Sequence, residues 1–108
     1  MKKLLFLLIL FSNVAFAQIE LKHFNAGWNS SNDVPWFMDL EDAKTKGHID
    51  IAKDTEAQTK YKIAVVPTII IFKDGEEVAR FQADLSFKMV ATKEEVQEEI
   101  NDQLMSDF

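Results

Sequence analysis

Apolar and polar positions along the chain predict four β-strands. The segments 19–24 and 48–53 alternate between polar and apolar residues, the first only at its start, as strands with one wet face or at a sheet edge do. Residues 68–72 are apolar without alternation, which is typical of a strand buried on both faces. Because Asp74-Gly75 is a hairpin turn signal, 77–83 is predicted to be the return strand.

The polar run after the first strand leads into a predicted helix. Asn32 and Asp33 are both suitable N-caps, and Pro35 fits the first turn because its missing N–H costs nothing there. Apolar residues then recur at helical spacing. Gly47 stands where a helix C-terminus favours a residue of positive φ. The pattern predicts a helix from about Pro35 to about Lys46.

Two further helices are predicted with caps of their own. Asp54 precedes a short helical segment, 55–61, and Thr92 and Glu95 have the spacing of a capping box. The last helix places three apolar residues on one face: Val96, Ile100 and Leu104. The element order is β-α-β-α-β-β-α. A right-handed β-α-β crossover followed by a hairpin and a closing helix gives an α/β fold with a four-stranded mixed sheet.

Residues 1–17 have the order of a secretory signal peptide. Lys2 and Lys3 form a basic start, the run 4–11 is apolar, and Ala15-Phe16-Ala17 has the small-x-small pattern of a cleavage site. Cleavage would leave a domain of residues 18–108, exported to a periplasm or to the outside of the cell. The alternative is an uncleaved N-terminal anchor, although the apolar run is short for a membrane span.

Charge and cysteine content exclude several classes of function. The formal net charge is −6, and removal of the first two lysines would leave 10 basic and 18 acidic residues, a net charge of −8. Such a surface disfavours nucleic acid and, after signal cleavage, membranes. The chain has no cysteine, so it has neither disulfides nor a thiol for nucleophilic or redox chemistry.

Two segments carry a resemblance to the thioredoxin family. The run 60–76, KYKIAVVPTIIIFKDGE, resembles the family pattern K-Y-x-I-x-x-x-P-T-hhhF-K-x-G-E, where h is hydrophobic, almost throughout. Residues 24–28, FNAGW, resemble F-W-A-x-W, the run that enters the family's active-site loop. The resemblance covers about residues 19–104 and implies a thioredoxin fold truncated at its N-terminus. It also implies a cis bond between Val66 and Pro67, facing that loop.

The chain departs from the family where the family keeps its reactive pair. The family has C-x-x-C after the tryptophan, and here those positions are Asn29, Ser30, Ser31 and Asn32. Disulfide exchange requires a thiolate, so the family's redox activity is not carried over. His23 stands where the family often has a buried acid.

Catalysis by other groups is an alternative with little support. As a nucleophile, Ser30 or Ser31 would need a base. His23 lies nearby in the sequence and would be that base, and Asp33 would orient it. No G-x-S-x-G elbow surrounds either serine. A polar turn at a helix start explains the same residues. His23 and His48 do not have metal-ligand spacing, so neither a metal nor a cofactor is expected.

The resemblance implies a binding groove that needs no cysteine. Members of the family bind an extended peptide in a groove, where the peptide pairs with the backbone as an added strand. The matching positions here are Trp28 and the Val66-Pro67-Thr68 loop, and the peptide would pair with Val66. Trp36 is expected to be exposed and to enlarge this apolar surface. We therefore expect a binding module for peptide or protein segments. Partner-dependent residual activity is one alternative.

A missing element of the family gives the other alternative. The family's first strand and helix have no counterpart here, and that strand would cover the edge formed by 48–53. Asp50 and Lys53 would protect this edge by their charge. Otherwise a second chain pairs there, which gives a homodimer or an assembly protein.

Overall fold

Four strands form one mixed sheet in the computed structural model, which describes residues 18–106. In the order β2-β1-β3-β4, the strands are β1 (Ile19–Asn25), β2 (Thr45–Asp50), β3 (Thr68–Lys73) and β4 (Glu76–Gln82). β1 is parallel to β2 and antiparallel to β3, and β3 is antiparallel to β4. The predicted α/β class and four-stranded mixed sheet are confirmed. The predicted signal peptide, 1–17, lies outside the described residues.

Each face of the sheet is covered by an apolar cluster. One cluster contains Ile19, Leu21, Val34, Phe37, Leu40, Ile69, Ile71, Val96 and Ile100. The other contains Phe24, Ala26, Ile51, Ala57, Ile63, Val66, Ile70 and Phe72. Successive residues of a strand point to opposite faces, so the unbroken apolar run of β3 supplies both clusters. This strand is central, as its lack of alternation predicts.

Two α-helices begin at the predicted caps. In α1 (Thr55–Lys60), the side chain of Asp54 accepts a hydrogen bond from the Ala57 N–H at 3.2 Å. In α2 (Lys93–Met105), Thr92 and Glu95 form the predicted capping box, with both bonds at 3.1 Å. Neither of these helices, nor any other within residues 18–106, combines the length and apolarity that a membrane crossing requires.

The prediction of a helix over 35–46 is wrong. Two 3₁₀ helices, Gly27–Asn32 and Phe37–Asp39, precede β2, and Asp42 has a φ of 67°. β2 begins earlier than predicted and includes Gly47, while Lys53 lies beyond its end.

Tertiary hydrogen bonds hold this crossover in place of an α-helical ladder. Residues 26–44 number nineteen, more than the about twelve that an α-helix needs to return the about 17 Å between the ends of β1 and β2, so length does not exclude a helix. The carbonyl oxygens of Met38 and Leu40 instead accept hydrogen bonds from Lys46 Nζ, and the Glu41 N–H donates to Gln97 Oε1. These side chains satisfy backbone groups that an α-helix would pair internally.

Candidate functional site

Trp28 lies in the 3₁₀ helix that follows β1 and projects from the surface. Its side chain is 66% exposed, and its ring meets the ring of Phe87 edge-on, with centroids 5.2 Å apart. Phe87 belongs to the loop between β4 and α2. The two aromatic rings form an exposed pair at one end of the sheet, and the apolar area they present is typical of a binding surface.

The loop that carries Phe87 is folded around Asp84. One carboxylate oxygen of Asp84 accepts hydrogen bonds from the Ser86 hydroxyl at 2.6 Å, the Ser86 N–H at 2.8 Å and the Lys88 N–H at 3.2 Å. These bonds, that of the Ser86 hydroxyl first, lower the pKa of the exposed Asp84 carboxyl. Leu85 is 93% exposed on the same loop. The sequence-based prediction did not include this loop. Leu85 and Phe87, two large apolar residues in a polar turn, are the feature that would have indicated it.

Asn29, at the first position after Trp28, is a buried cross-link between three segments. It is 5% exposed, and its Nδ2 lies 3.0 Å from Asn25 Oδ1, 3.2 Å from Phe87 O and 3.4 Å from Val66 O. Asn32 Nδ2 donates to Asn29 Oδ1 at 2.8 Å. The predicted polar turn is present, but its amides join the Trp28 loop to Val66 and to Phe87.

The two serines of this loop lack an activating base. Ser30 and Ser31 are exposed, and neither hydroxyl has a hydrogen-bond partner among the residues that the structure describes. His23 does not reach them, because its two ring nitrogens face the Val34 N–H and His48. A serine without a base within hydrogen-bond reach is a poor nucleophile. In this geometry, His23 does not act as the base that Ser30 or Ser31 would need.

The loop from Val66 to Thr68 contains the cis peptide bond that the resemblance implies, between Val66 and Pro67. Within residues 18–106, the N–H of Val66 donates to no acceptor. Pro67 O accepts from the Ala83 N–H at 3.0 Å. Thr68 is fully buried, and its hydroxyl donates to Val65 O at 2.7 Å, so it supports the loop from beneath.

A shallow cleft of about 90 Å³ runs between the Trp28 loop and Val66. Its lining is mainly apolar: Trp28, Ile51, Gln58, Ile63, Ala64, Val65, Val66 and Phe87. Trp36 is not part of it. That side chain is half-buried against the cluster that contains Val34 and Phe37, so the expected exposure of Trp36 is wrong.

His23 is buried beside a second histidine. The parallel register places His23 next to His48, and their Nδ1 atoms are 3.2 Å apart. Burial, and then the nearby His48, lower the pKa of His23 to about 4, although Asp33 opposes this shift. The sequence does not reveal this proximity, because the residues between the two histidines do not determine the strand register.

Both histidines line a second, more polar cleft of about 300 Å³ with Asn25, Ser30, Asp33 and Asp50. Across residues 18–106, no three histidine, aspartate or glutamate side chains are grouped as metal ligands would be.

Known proteins with similar sequences are thioredoxins, and the similarity is local. Thioredoxin Y1 of Arabidopsis thaliana chloroplasts is 45% identical over 42 residues, or 39% of this chain and 24% of that protein. Thioredoxin of Chlamydia pneumoniae is 44% identical over 36 residues, or 33% of this chain and 35% of that protein. The matched region thus spans about a quarter to a third of these relatives. No protein-family model matches the chain.

Solved structures are similar over most of the chain. A reduced thioredoxin pre-protein from Schistosoma mansoni has a TM-score of 0.61 and 26% identity, covering 89% of this chain and 88% of that one. A mutant thioredoxin from Halobacterium salinarum NRC-1 has a TM-score of 0.62 and 20% identity, covering 81% and 75%. The sheet order, the Val66-Pro67 loop and these similarities agree with the sequence resemblance. The chain is a divergent, cysteine-free protein with the thioredoxin-like fold.

Proposed function

We propose that the protein is a non-catalytic binding module that holds an extended peptide or protein segment between Trp28 and Val66. One observation carries this proposal: Val66, whose backbone N–H has no acceptor among the described residues, lines an apolar cleft beside the exposed Trp28–Phe87 pair. An extended segment would pair with Val66 as an added strand and place an apolar side chain in the cleft. The signal-peptide pattern supports action in a periplasm or outside the cell.

The composition supports a role without thiol chemistry. With no cysteine in the chain, a bound segment cannot be captured as a mixed disulfide. Recognition would then depend on aromatic contact area and on backbone pairing, and exposed aromatic side chains are the usual anchors of such interfaces. Affinity is expected to be modest, because the cleft is shallow.

Selection from a random peptide display library tests the proposal. Peptides enriched on the wild-type protein should bind Trp28→Ala and Phe87→Ala about tenfold more weakly or worse, since each substitution removes an aromatic anchor. Val90→Ala is the matched control, because Val90 is exposed but does not line the cleft. Peptides that bind Trp28→Ala as tightly as the wild type would contradict the proposal.

The open edge of the sheet supports a second candidate, an assembly function. β2 is the outermost strand next to β1, so the backbone groups on its far side face away from the sheet. Such an edge is a template for pairing with another chain. We propose a homodimer formed by two β2 strands as the form that this assembly would take.

A further inference from the structure

The contacts of His23 assign the protons on both histidines. The backbone N–H of Val34 points at His23 Nε2, 3.2 Å away, and an N–H group can only donate. His23 Nε2 must therefore be unprotonated, and neutral His23 carries its proton on Nδ1. That proton donates to His48 Nδ1, 3.2 Å away, so neutral His48 carries its proton on Nε2. The result is one directed chain of hydrogen bonds, Val34 to His23 to His48.

This series of hydrogen bonds cannot accept a further proton while both of its bonds remain. A proton on His48 Nδ1 would face the Nδ1–H of His23, and a proton on His23 Nε2 would face the Val34 N–H. Each case sets two donors against each other and leaves a buried N–H without an acceptor, which costs free energy. Protonation of either ring therefore breaks one link of the chain.

The position of Val34 connects this chain to the candidate binding site. Val34 follows Asp33, whose carboxylate accepts a hydrogen bond from the Asn25 side chain. Asn25 in turn donates to the backbone oxygen of Asn29, next to Trp28, at 3.1 Å. The end of the Trp28 loop is thus held at two neighbouring residues. Asp33 is held by the Asn25 side-chain amide, and Val34 is held by His23.

We propose that His23 and His48 form a proton-sensitive latch on the segment that begins at Val34, and hence on the loop that carries Trp28. In the neutral pair, His23 holds Val34 in place. His48 is itself an exposed residue of β2, so its ring turns outward when it is protonated. His23 then loses the acceptor for its Nδ1 proton. When His23 is protonated as well, the hydrogen bond to Val34 is lost and the end of the loop at Val34 is released, while Asn29 still holds the start of the loop.

The charged groups around the pair favour its protonation in acid. Asp33 and Asp50 line the same cleft as both histidines, and the Asp33 carboxylate favours a charged His23. Lys46 lies on the same side of β2, but its ammonium group is held by the carbonyl oxygens of Met38 and Leu40. The remaining close neighbours, the Phe37 ring and the cross-strand residue Ile69, are uncharged. Burial of His23 and its lowered pKa agree with a neutral resting pair.

Nuclear magnetic resonance on the ¹⁵N-labelled protein tests the latch without any peptide. Imidazole nitrogen shifts should show Nδ1-protonated His23 and Nε2-protonated His48 at about pH 7.5. On acidification, the Val34 amide and the Trp28 indole should shift with the midpoints of the histidines. Exchange of the Val34 amide, corrected for its intrinsic pH dependence, should rise about tenfold as its hydrogen bond is lost. An Nε2-protonated His23, or a Val34 amide that does not respond, would overturn the latch.

Two isosteric variants separate the histidines. His23→Gln offers Oε1 to the Val34 N–H but does not titrate, so the shifts of Val34 and Trp28 with pH should disappear. His48→Asn offers Oδ1 to the His23 proton, and in this exposed position it should remain folded; only the His23 step should survive. Asp33→Asn controls for titration of the adjacent carboxylate and should leave the histidine-linked step in place. Shifts that persist in both histidine variants would assign the transition to other groups.

Only the effect on binding rests on the proposed function. If the latch operates, the selected peptides should bind more weakly as Val34 is released, and His23→Gln should remove this pH dependence. A Val34 response without any peptide binding would reject the binding module and keep the latch. Peptide binding together with a Val34 amide that does not respond to pH would support the binding module and reject the latch.

Discussion

At the scale of single residues, Asn29 replaces a reactive group of the resembled family with a group that cannot do the same chemistry. The Asn29 amide takes the position of a nucleophile and instead forms hydrogen bonds to Asn25 and to the backbone of Phe87. A buried amide with its partners satisfied fixes a loop in one geometry. Sequence alone showed the loss of the thiols. It did not show that the replacement is a structural cross-link, because Phe87 is far away along the chain.

The burial of His23 predicts acid-sensitive stability. Its pKa is about 4 in the folded protein and 6.5 when unperturbed, so the unfolded chain binds more protons between these values. The free energy of unfolding should therefore rise with pH from about 4 to about 6.5 and then level off. The full gain is about 3 kcal/mol.

Urea unfolding of the wild type and of His23→Gln at several pH values measures this gain. Asp84 and Glu77 also have lowered pKa values and contribute acid sensitivity to both proteins. The difference between the two curves therefore isolates His23. A difference that does not change with pH would show that His23 titrates alike in both states.

At the scale of elements, the sequence predicted correctly those strands, turns and helices that depend on neighbouring residues alone. The central strand, the Asp74-Gly75 turn and both capped α-helices follow from alternation, turn residues and caps. The segment 35–46 failed because Val34, Phe37 and Leu40 are three apart, a spacing that suits both a 3₁₀ and an α-helix. The observed segment is instead held by tertiary contacts, in which Lys46 and Gln97 satisfy its backbone groups, and local patterns do not reveal such contacts.

The 3₁₀ helix that carries Trp28 predicts an engineered disulfide. Residues three apart are eclipsed in such a helix, and the side chains of Asn29 and Asn32 already meet at 2.8 Å. A double variant, Asn29→Cys with Asn32→Cys, should therefore close a disulfide in air. Thiol titration before and after reduction measures it. Asn29→Cys with Ser31→Cys is the control, since Ser31 is exposed and should keep a free thiol. Asn29 has a non-helical φ of −115° and ψ of 19° within this segment, and two free thiols in the first variant would show that this kink holds the side chains apart.

At the scale of the whole molecule, the open edge at β2 leads to the last prediction. Two copies of Thr45–Asp50 paired antiparallel about their centre place Lys46 opposite Ile49 and Gly47 opposite His48, without facing like charges. The protein should therefore show a concentration-dependent dimer by light scattering. A Cβ at Gly47 meets no atom within 4 Å, so both Gly47→Lys and Gly47→Ala should fold. Edge lysines oppose strand pairing, so Gly47→Lys should be monomeric and Gly47→Ala should still dimerise. A wild-type monomer at every concentration, or equal dimers in both variants, would exclude pairing at this edge.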